Sequence, residues 1–372
     1  MEKVKVIVVD DSAFMRKAIS DIIESEDNFE VIAKFRDGRE LVDKVDKFNP
    51  DIITLDVHMK DLDGLSTLKE LKRLGKSYSI IMLSSATTNG SELTLECLDN
   101  GAISFITKPS GSISLDIAKV KENLISQIKG IMVNKRKNSK TYIHNNMTTK
   151  QKVKFNIQKQ GEVKCFDDNQ RLVHRNENII LPNKRINAVV IGASTGGPKA
   201  LQRVLVNLPK NLGIPVFVVQ HMPEGFTKVF SERLNRVCQM NVVEAEDGMN
   251  IDNGTIYIAK GGSHMTIGDN NKICFNQEPP VWGVRPAVDK LFDSAIKVYG
   301  SNILSVVLTG MGRDGAAGTE NIKDNGGITI AEDKSTCTIY GMPKAAFETG
   351  KVDLVLPLDQ VCDNIIKIVK RI

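Results

Sequence analysis

The chain has 372 residues, 41% of them hydrophobic and 26% charged, with a formal net charge of +5 at pH 7. That balance suits a globular protein long enough for two separate cores, and it excludes low-complexity and fibrous chains. No apolar run approaches the roughly 20 residues of a membrane helix, MEKVKVIVV lacks a signal-peptide layout, and Cys97, Cys165, Cys238, Cys274, Cys337 and Cys362 fall in no zinc spacing, so a cytoplasmic protein with reduced thiols and no membrane insertion is expected.

The first predicted strand, VKVIVV, ends on Asp10 and Asp11, and the next informative one, DIITL, ends on Asp56. YSIIML then ends on Ser84, and AISFIT on Lys108 and Pro109. A single Asp at a strand end usually caps the following helix, and Asp11 before SAFMRKAI fits that role. The set as a whole does not. Side chains at the carboxyl ends of parallel strands converge in one crevice of a doubly wound sheet, and three carboxylates gathered there require a cation. Such a site presents Asp56 to a phosphoryl group, with Lys108 and Ser84 placed for the incoming oxygens.

On these residues the first 110 or so positions resemble the receiver domain of two-component response regulators. The resemblance implies a flavodoxin-like, five-stranded parallel sheet and Mg2+ held by Asp10, Asp11, Asp56 and the backbone carbonyl of His58. It also implies phosphorylation of Asp56 by a histidine kinase, with Ser84, Phe105 and Lys108 as switch residues. His58 and Lys60 depart from the family pattern, which bears on phosphate lifetime.

Residues 131–187 hold 13 Lys and Arg against four Asp and Glu, an excess larger than the whole chain's net charge. The segment has neither helical nor strand periodicity, so the expected division is a receiver over 1–130, a basic flexible linker over 131–186 and a second domain over 187–372. Charge confined to a tether, without a helix-turn-helix pattern downstream, argues against nucleic acid as a partner.

After Asn187 the predicted strand AVVIGA runs into GASTGG and then a helix with apolar Leu201, Val204, Leu205 and Leu208. Gly192, Ser194 and Gly196 fit the G-x-S-x-G elbow, which exposes a serine hydroxyl at a helix N-terminus. Such a turn serves a phosphate as well as an acyl oxyanion. Neighbouring strand ends decide between them: PVFVVQ ends on His221, and NILSVVL leads to a glycine-flanked loop carrying Asp314. Ser194, His221 and Asp314 are the parts of a nucleophile, its base and the group orienting that base. His264, in a predicted hairpin turn, is the rival base; Asp289, where a helix begins, is the rival acid.

GASTGG, QHMPEGFT, RPAVD, TGMGRDGAAG and YGMPKAA closely resemble the catalytic domain of the chemotaxis methylesterase family. The resemblance implies a second, Rossmann-like doubly wound domain, making the fold class α/β with two parallel sheets. It implies hydrolysis of glutamate γ-methyl esters on chemoreceptors, deamidation of receptor glutamines, and no cofactor for the esterase reaction. The backbone N–H groups of Thr195 and Met311 are then the expected oxyanion donors. Further expectations are a monomer and a receiver that restrains the catalytic cleft until Asp56 is phosphorylated. PVWGV, with Trp282 and Val284, departs from the family and bears on substrate preference.

Overall fold

The structure, a computed structural model, describes residues 3–85, 87–108, 117, 118, 120–133 and 184–371. Almost all of the expected basic linker lies outside these residues. The first sheet is parallel and five-stranded, from β1 (Val4–Val9), β2 (Phe29–Phe35), β3 (Ile52–Asp56), β4 (Ile80–Ser84) and β5 (Ser104–Thr107) in the order β2-β1-β3-β4-β5. Helices α1 (Ala13–Glu24), α2 (Gly38–Lys44), α3 (Gly64–Arg73), α4 (Thr88–Asp99) and α5 (120–133) connect and cover it. Chain order reverses between β1 and β3, so Asp10, Asp11 and Asp56 meet at the crevice where such sheets hold ligands. Asp11 does not cap α1: Ser12 does, accepting a hydrogen bond from the Met15 amide, which leaves the Asp11 carboxylate free for the crevice.

The second sheet is parallel and seven-stranded. It is built from β6 (Ala188–Ala193), β7 (Val216–Gln220), β8 (Asn241–Glu244), β9 (Thr255–Ile258), β12 (Ile303–Val307), β13 (Ile328–Glu332) and β14 (Leu354–Leu356), with a separate antiparallel hairpin of β10 (His264–Gly268) and β11 (Lys272–Asn276). The order β14-β13-β12-β6-β7-β9-β8 places its reversal between β6 and β12. Strands β6, β7 and β12 are buried along their whole length, which is why their sequences are mostly apolar instead of alternating, with Ser305 and Gln220 the polar exceptions. Each buried Val or Ile there contributes about 2 kcal/mol, and an Asp at Val190 or Val306 would break this core. Helices α6 (Gly197–Leu205), α7 (Phe226–Val237), α8 (Val288–Tyr299), α9 (Ala316–Asp324), α10 (Met342–Glu348) and α11 (Leu358–Lys370) complete the domain.

The two sheets share apolar contacts across their boundary. Phe105, the second residue of β5, stacks on Phe226 at the start of α7 with centroids 4.8 Å apart and planes 9° from parallel. Arg233 on α7 pairs with Asp99 on α4, and Lys199 on α6 donates to the Ala102 carbonyl at 3.1 Å. Helix α5 packs on the second domain so closely that a Cβ at Gly130 would lie 3.0 Å from Ile339. No helix among the described residues is long and apolar enough to cross a membrane.

Candidate active site

The elbow forms as the sequence predicts. Gly196 adopts φ +81° to turn the chain from β6 into α6, and Pro198 occupies the first helical turn, where its missing N–H costs nothing. Gly310 must also lack a side chain, because its Cβ would come within 2.8 Å of the Ser194 Cβ. Ser194 therefore sits half-exposed at the positive end of α6.

Strand register sets the candidate base beside it. Ala193 pairs with Gln220 across β6 and β7, so Ser194 and His221 follow as the next neighbours, about 5 Å apart in backbone spacing. The His221 amide donates to the Ala193 carbonyl at 3.0 Å, and the Ser194 amide to the Thr309 carbonyl at 3.0 Å, extending the β7-β6-β12 ladder into the loops. His221 Nε2 lies 2.8 Å from Asp314 Oδ2, which leaves Nδ1 as the ring nitrogen for the serine. Among the described residues the serine hydroxyl has no hydrogen bond to the ring.

Asp314 is buried, and its carboxylate also accepts the amides of Val288 at 2.6 Å and Asp289 at 2.9 Å. Burial alone would raise its pKa, but the His221 bond and charge, with the two amides, outweigh it and hold the carboxyl below its ordinary value. Asp289, the rival acid, has different partners: its Oδ1 accepts the amides of Gly315 at 2.9 Å and Gly318 at 2.8 Å. Although it lies in the first turn of α8, it serves as the missing cap of α9, and burial with the neighbouring Asp314 charge pushes it up to about 6. His264, the rival base, is fully buried, with Nε2 on the Pro279 carbonyl and Nδ1 accepting the Ala287 amide. Both nitrogens are engaged in holding the chain ahead of α8.

The cleft is a cavity of about 480 Å³ between the two sheets, with Ser194, His221 and Asp314 on one side and Phe105, Asn123 and Gln127 of the first domain on the other. Trp282 and Val284 line it, as expected of the PVWGV segment. Among the described residues the N–H groups of Thr195 and Met311 have no hydrogen-bond partner, so both are available to an oxyanion.

In the first domain Asp10, Asp11 and Asp56 bring carboxylate oxygens within 4.8 Å of one another. Lys108 Nζ lies 2.7 Å from Asp10 Oδ2 and 2.7 Å from Asp56 Oδ2, while the His58 amide donates to Asp56 Oδ1 at 3.3 Å. Burial pushes the Asp56 carboxyl up, against the opposing pull of Lys108. One ammonium against three carboxylates leaves the cluster short of positive charge, and Asp10 Oδ2 is buried without a well-aligned hydrogen bond. An all-oxygen, electron-rich site of this kind fits a hard divalent cation such as magnesium. The Ser84 hydroxyl lies within donor reach of the Ser85 carbonyl at 3.1 Å and the Gly90 carbonyl at 3.3 Å, and it accepts from Thr94 Oγ1 at 2.5 Å.

Residues 6–118 match the response regulator receiver domain family, and residues 189–365 match the CheB methylesterase family. The protein-glutamate methylesterase/protein-glutamine glutaminase of Clostridium acetobutylicum is 49% identical over 370 residues, covering 100% of this chain and 99% of that protein. The chain belongs to the CheB methylesterase family. A relative with the same description from Methanococcus maripaludis is 41% identical over 376 residues, covering 100% of both chains. The crystal structure of the Thermotoga maritima CheB methylesterase catalytic domain is 43% identical to it, covering 50% of this chain and 100% of that chain with a TM-score of 0.49.

Two residues that support this site carried only a faint sequence signal. Gln220 is buried, and its Nε2 donates to the carbonyls of Ser194 at 2.9 Å and His221 at 3.0 Å, tying both candidate residues to one amide. Glu332, fully buried at the end of β13, accepts the Thr309 amide at 2.7 Å. The Thr309 hydroxyl in turn donates to the Thr195 carbonyl at 3.0 Å, so one carboxyl braces the loops carrying both candidate oxyanion donors. Burial pushes Glu332 up to about 7, against the bonds from Thr309 and Thr336. A buried polar residue at the end of an apolar run was the available clue in both places.

Proposed function

We propose that the chain hydrolyses glutamate γ-methyl esters on chemoreceptors to glutamate and methanol, deamidates receptor glutamines at the same site, and is activated by phosphorylation of Asp56. The observation that carries the reaction is the 2.8 Å His221–Asp314 bond, one register step from the serine of a glycine elbow.

Ser194 Oγ attacks the ester carbonyl while His221 Nδ1 accepts its proton. Asp314 holds the Nε2–H tautomer and stabilises the imidazolium, and the amides of Thr195 and Met311 hold the oxyanion. The imidazolium returns the proton to the departing methoxide, releasing methanol and leaving an acyl-Ser194. His221 then takes a proton from water, whose oxygen attacks the acyl carbon; glutamate leaves and Ser194 is restored. With glutamine the first leaving group is ammonia. Loss of one oxyanion donor costs about 3 kcal/mol in the transition state.

In the receiver, Asp10, Asp11 and Asp56 with the His58 carbonyl are the residues that would hold magnesium, which when bound offsets charge on phosphoryl oxygens. A histidine kinase is the proposed donor, and chemotactic adaptation the process served. Asp56 receives the phosphoryl group, Lys108 exchanges its carboxylate partners for phosphoryl oxygen, and Ser84 leaves Thr94 to do the same. Two elements feel that change directly: α4, which holds Ser84 and pairs with α7, and Phe105, which stacks on Phe226. Their rearrangement loosens the receiver over the cleft.

Methanol release from radiolabelled methylated receptor tests the reaction. The expected result is loss of release in Ser194→Ala and a gain in the wild-type protein on adding a small-molecule phosphodonor. Near-normal release by the alanine variant would rule the scheme out.

A further inference from the structure

Trp282 is held in a costly conformation for no benefit to the core. Val281 and Val284 pair through two hydrogen bonds, of 3.1 and 3.0 Å, around a two-residue turn in which Trp282 has φ +53° and Gly283 φ +78°. Turns with both central residues left-handed favour Asn, Asp and Gly, and a bulky residue there is strained. Burial does not offset that cost, because the residue is 59% exposed even with the receiver docked. Strain retained without burial points to a use for the ring at the surface.

The ring has two polar neighbours. Its Nε1–H donates to Asp289 Oδ2 at 3.4 Å, fixing the indole against the buried carboxylate pair, and the Arg313 guanidinium lies over the ring at 5.1 Å from the centroid. Arg313 is exposed and has no carboxylate partner among the described residues. A guanidinium held over an aromatic face by cation–π attraction still has its N–H fork to offer, and that fork binds a carboxylate through two parallel bonds at reduced ordering cost. Both residues line the same cavity as Ser194 and His221.

We propose that Trp282 and Arg313 form a carboxylate-reading platform at the mouth of the cleft, selecting substrate segments that carry an acidic side chain close to the glutamyl group being hydrolysed. This rests on the esterase reading of the cavity and adds the chemistry of the neighbouring substrate residue. It assigns a specificity role to the PVWGV departure.

The test uses binding, so that it is separable from catalysis. Trp282 is the chain's single tryptophan, and its fluorescence reports directly on the platform. Full-length Ser194→Ala protein is titrated with two helical peptides bearing one glutamyl methyl ester, identical except for Glu or Gln at the flanking positions one turn away. The expected Kd is about tenfold tighter for the Glu peptide. Arg313→Ala in the same background brings the ratio to about one, and Arg313→Lys, which keeps charge but loses the fork, falls between. Equal affinities for the two peptides, or a tenfold ratio that survives Arg313→Ala, would overturn the platform. Methanol released by the Ser194→Ala protein during the titration would instead count against the esterase reading.

Discussion

The two crevices of this molecule are built alike and treat their carboxylates in opposite ways. Each lies at the carboxyl ends of parallel strands, beside the point where chain order reverses, and each holds a buried aspartate as its chemical centre. Asp314 is met by an imidazole and two backbone amides, so burial is overcome and its pKa falls. Asp56 is met by Lys108 shared with a second carboxylate, so burial wins and its pKa rises. The difference fits the two proposed roles: a carboxylate stabilised as an anion suits the orienting of a base, and one held in charge deficit suits a site that takes up a cation and a phosphoryl group.

The largest expected effects break the catalytic side of this comparison. Ser194→Ala should lower methanol release by roughly 10⁶-fold and Asp314→Asn by about 10⁴-fold, the latter because Asn cannot hold the Nε2–H tautomer of His221. An Asp314→Asn enzyme within tenfold of wild type would show that the 2.8 Å contact does not orient the base. Asp289→Asn, in contrast, should cost far less, since it touches amides of α9 and not the imidazole.

A smaller effect tests how the crevices communicate. An aromatic stack contributes about 1 kcal/mol, so Phe105→Ala should raise the unphosphorylated activity of the full-length protein about fivefold. Basal methanol release measured without phosphodonor checks this, and an unchanged rate would remove Phe105 from the coupling.

A separate effect, on stability and not on rate, concerns Glu332, which carries a raised pKa inside the catalytic domain. Its protonated form is favoured in the folded state, so its stabilisation is full below the unfolded value near 4.5 and is lost as pH rises through about 7. Glu332→Gln, neutral throughout, should therefore gain on wild type by roughly 2–3 kcal/mol between pH 5 and pH 8. Thermal unfolding of both proteins across that range reads the difference, and parallel curves would contradict it.

Both sheets were legible in the sequence because fully buried parallel strands are continuous apolar runs, and the candidate residues stood at their ends. Strand order was not, since nothing in VFVVQ or ILSVV says which neighbour it pairs with. Backbone partners decided the rest. Asp289 looked like a first-turn charge of its own helix, and only the folded chain brings it to the amides of Gly315 and Gly318. His264 looked like a turn residue and is a buried brace, because Pro279 and Ala287 reach it from both sides. Ser84 was read by its position on a strand end, yet a freely rotating hydroxyl turns to local partners, here the Ser85 carbonyl and, on α4, Gly90 and Thr94.

The most direct test of the account is mass-spectrometric mapping of full-length protein treated with a serine-reactive fluorophosphonate, with and without a phosphodonor. The account predicts a single adduct on Ser194 that forms faster once Asp56 is phosphorylated and hardly at all in Asp314→Asn. Labelling elsewhere, or labelling of Ser194 indifferent to both Asp56 and Asp314, would contradict it.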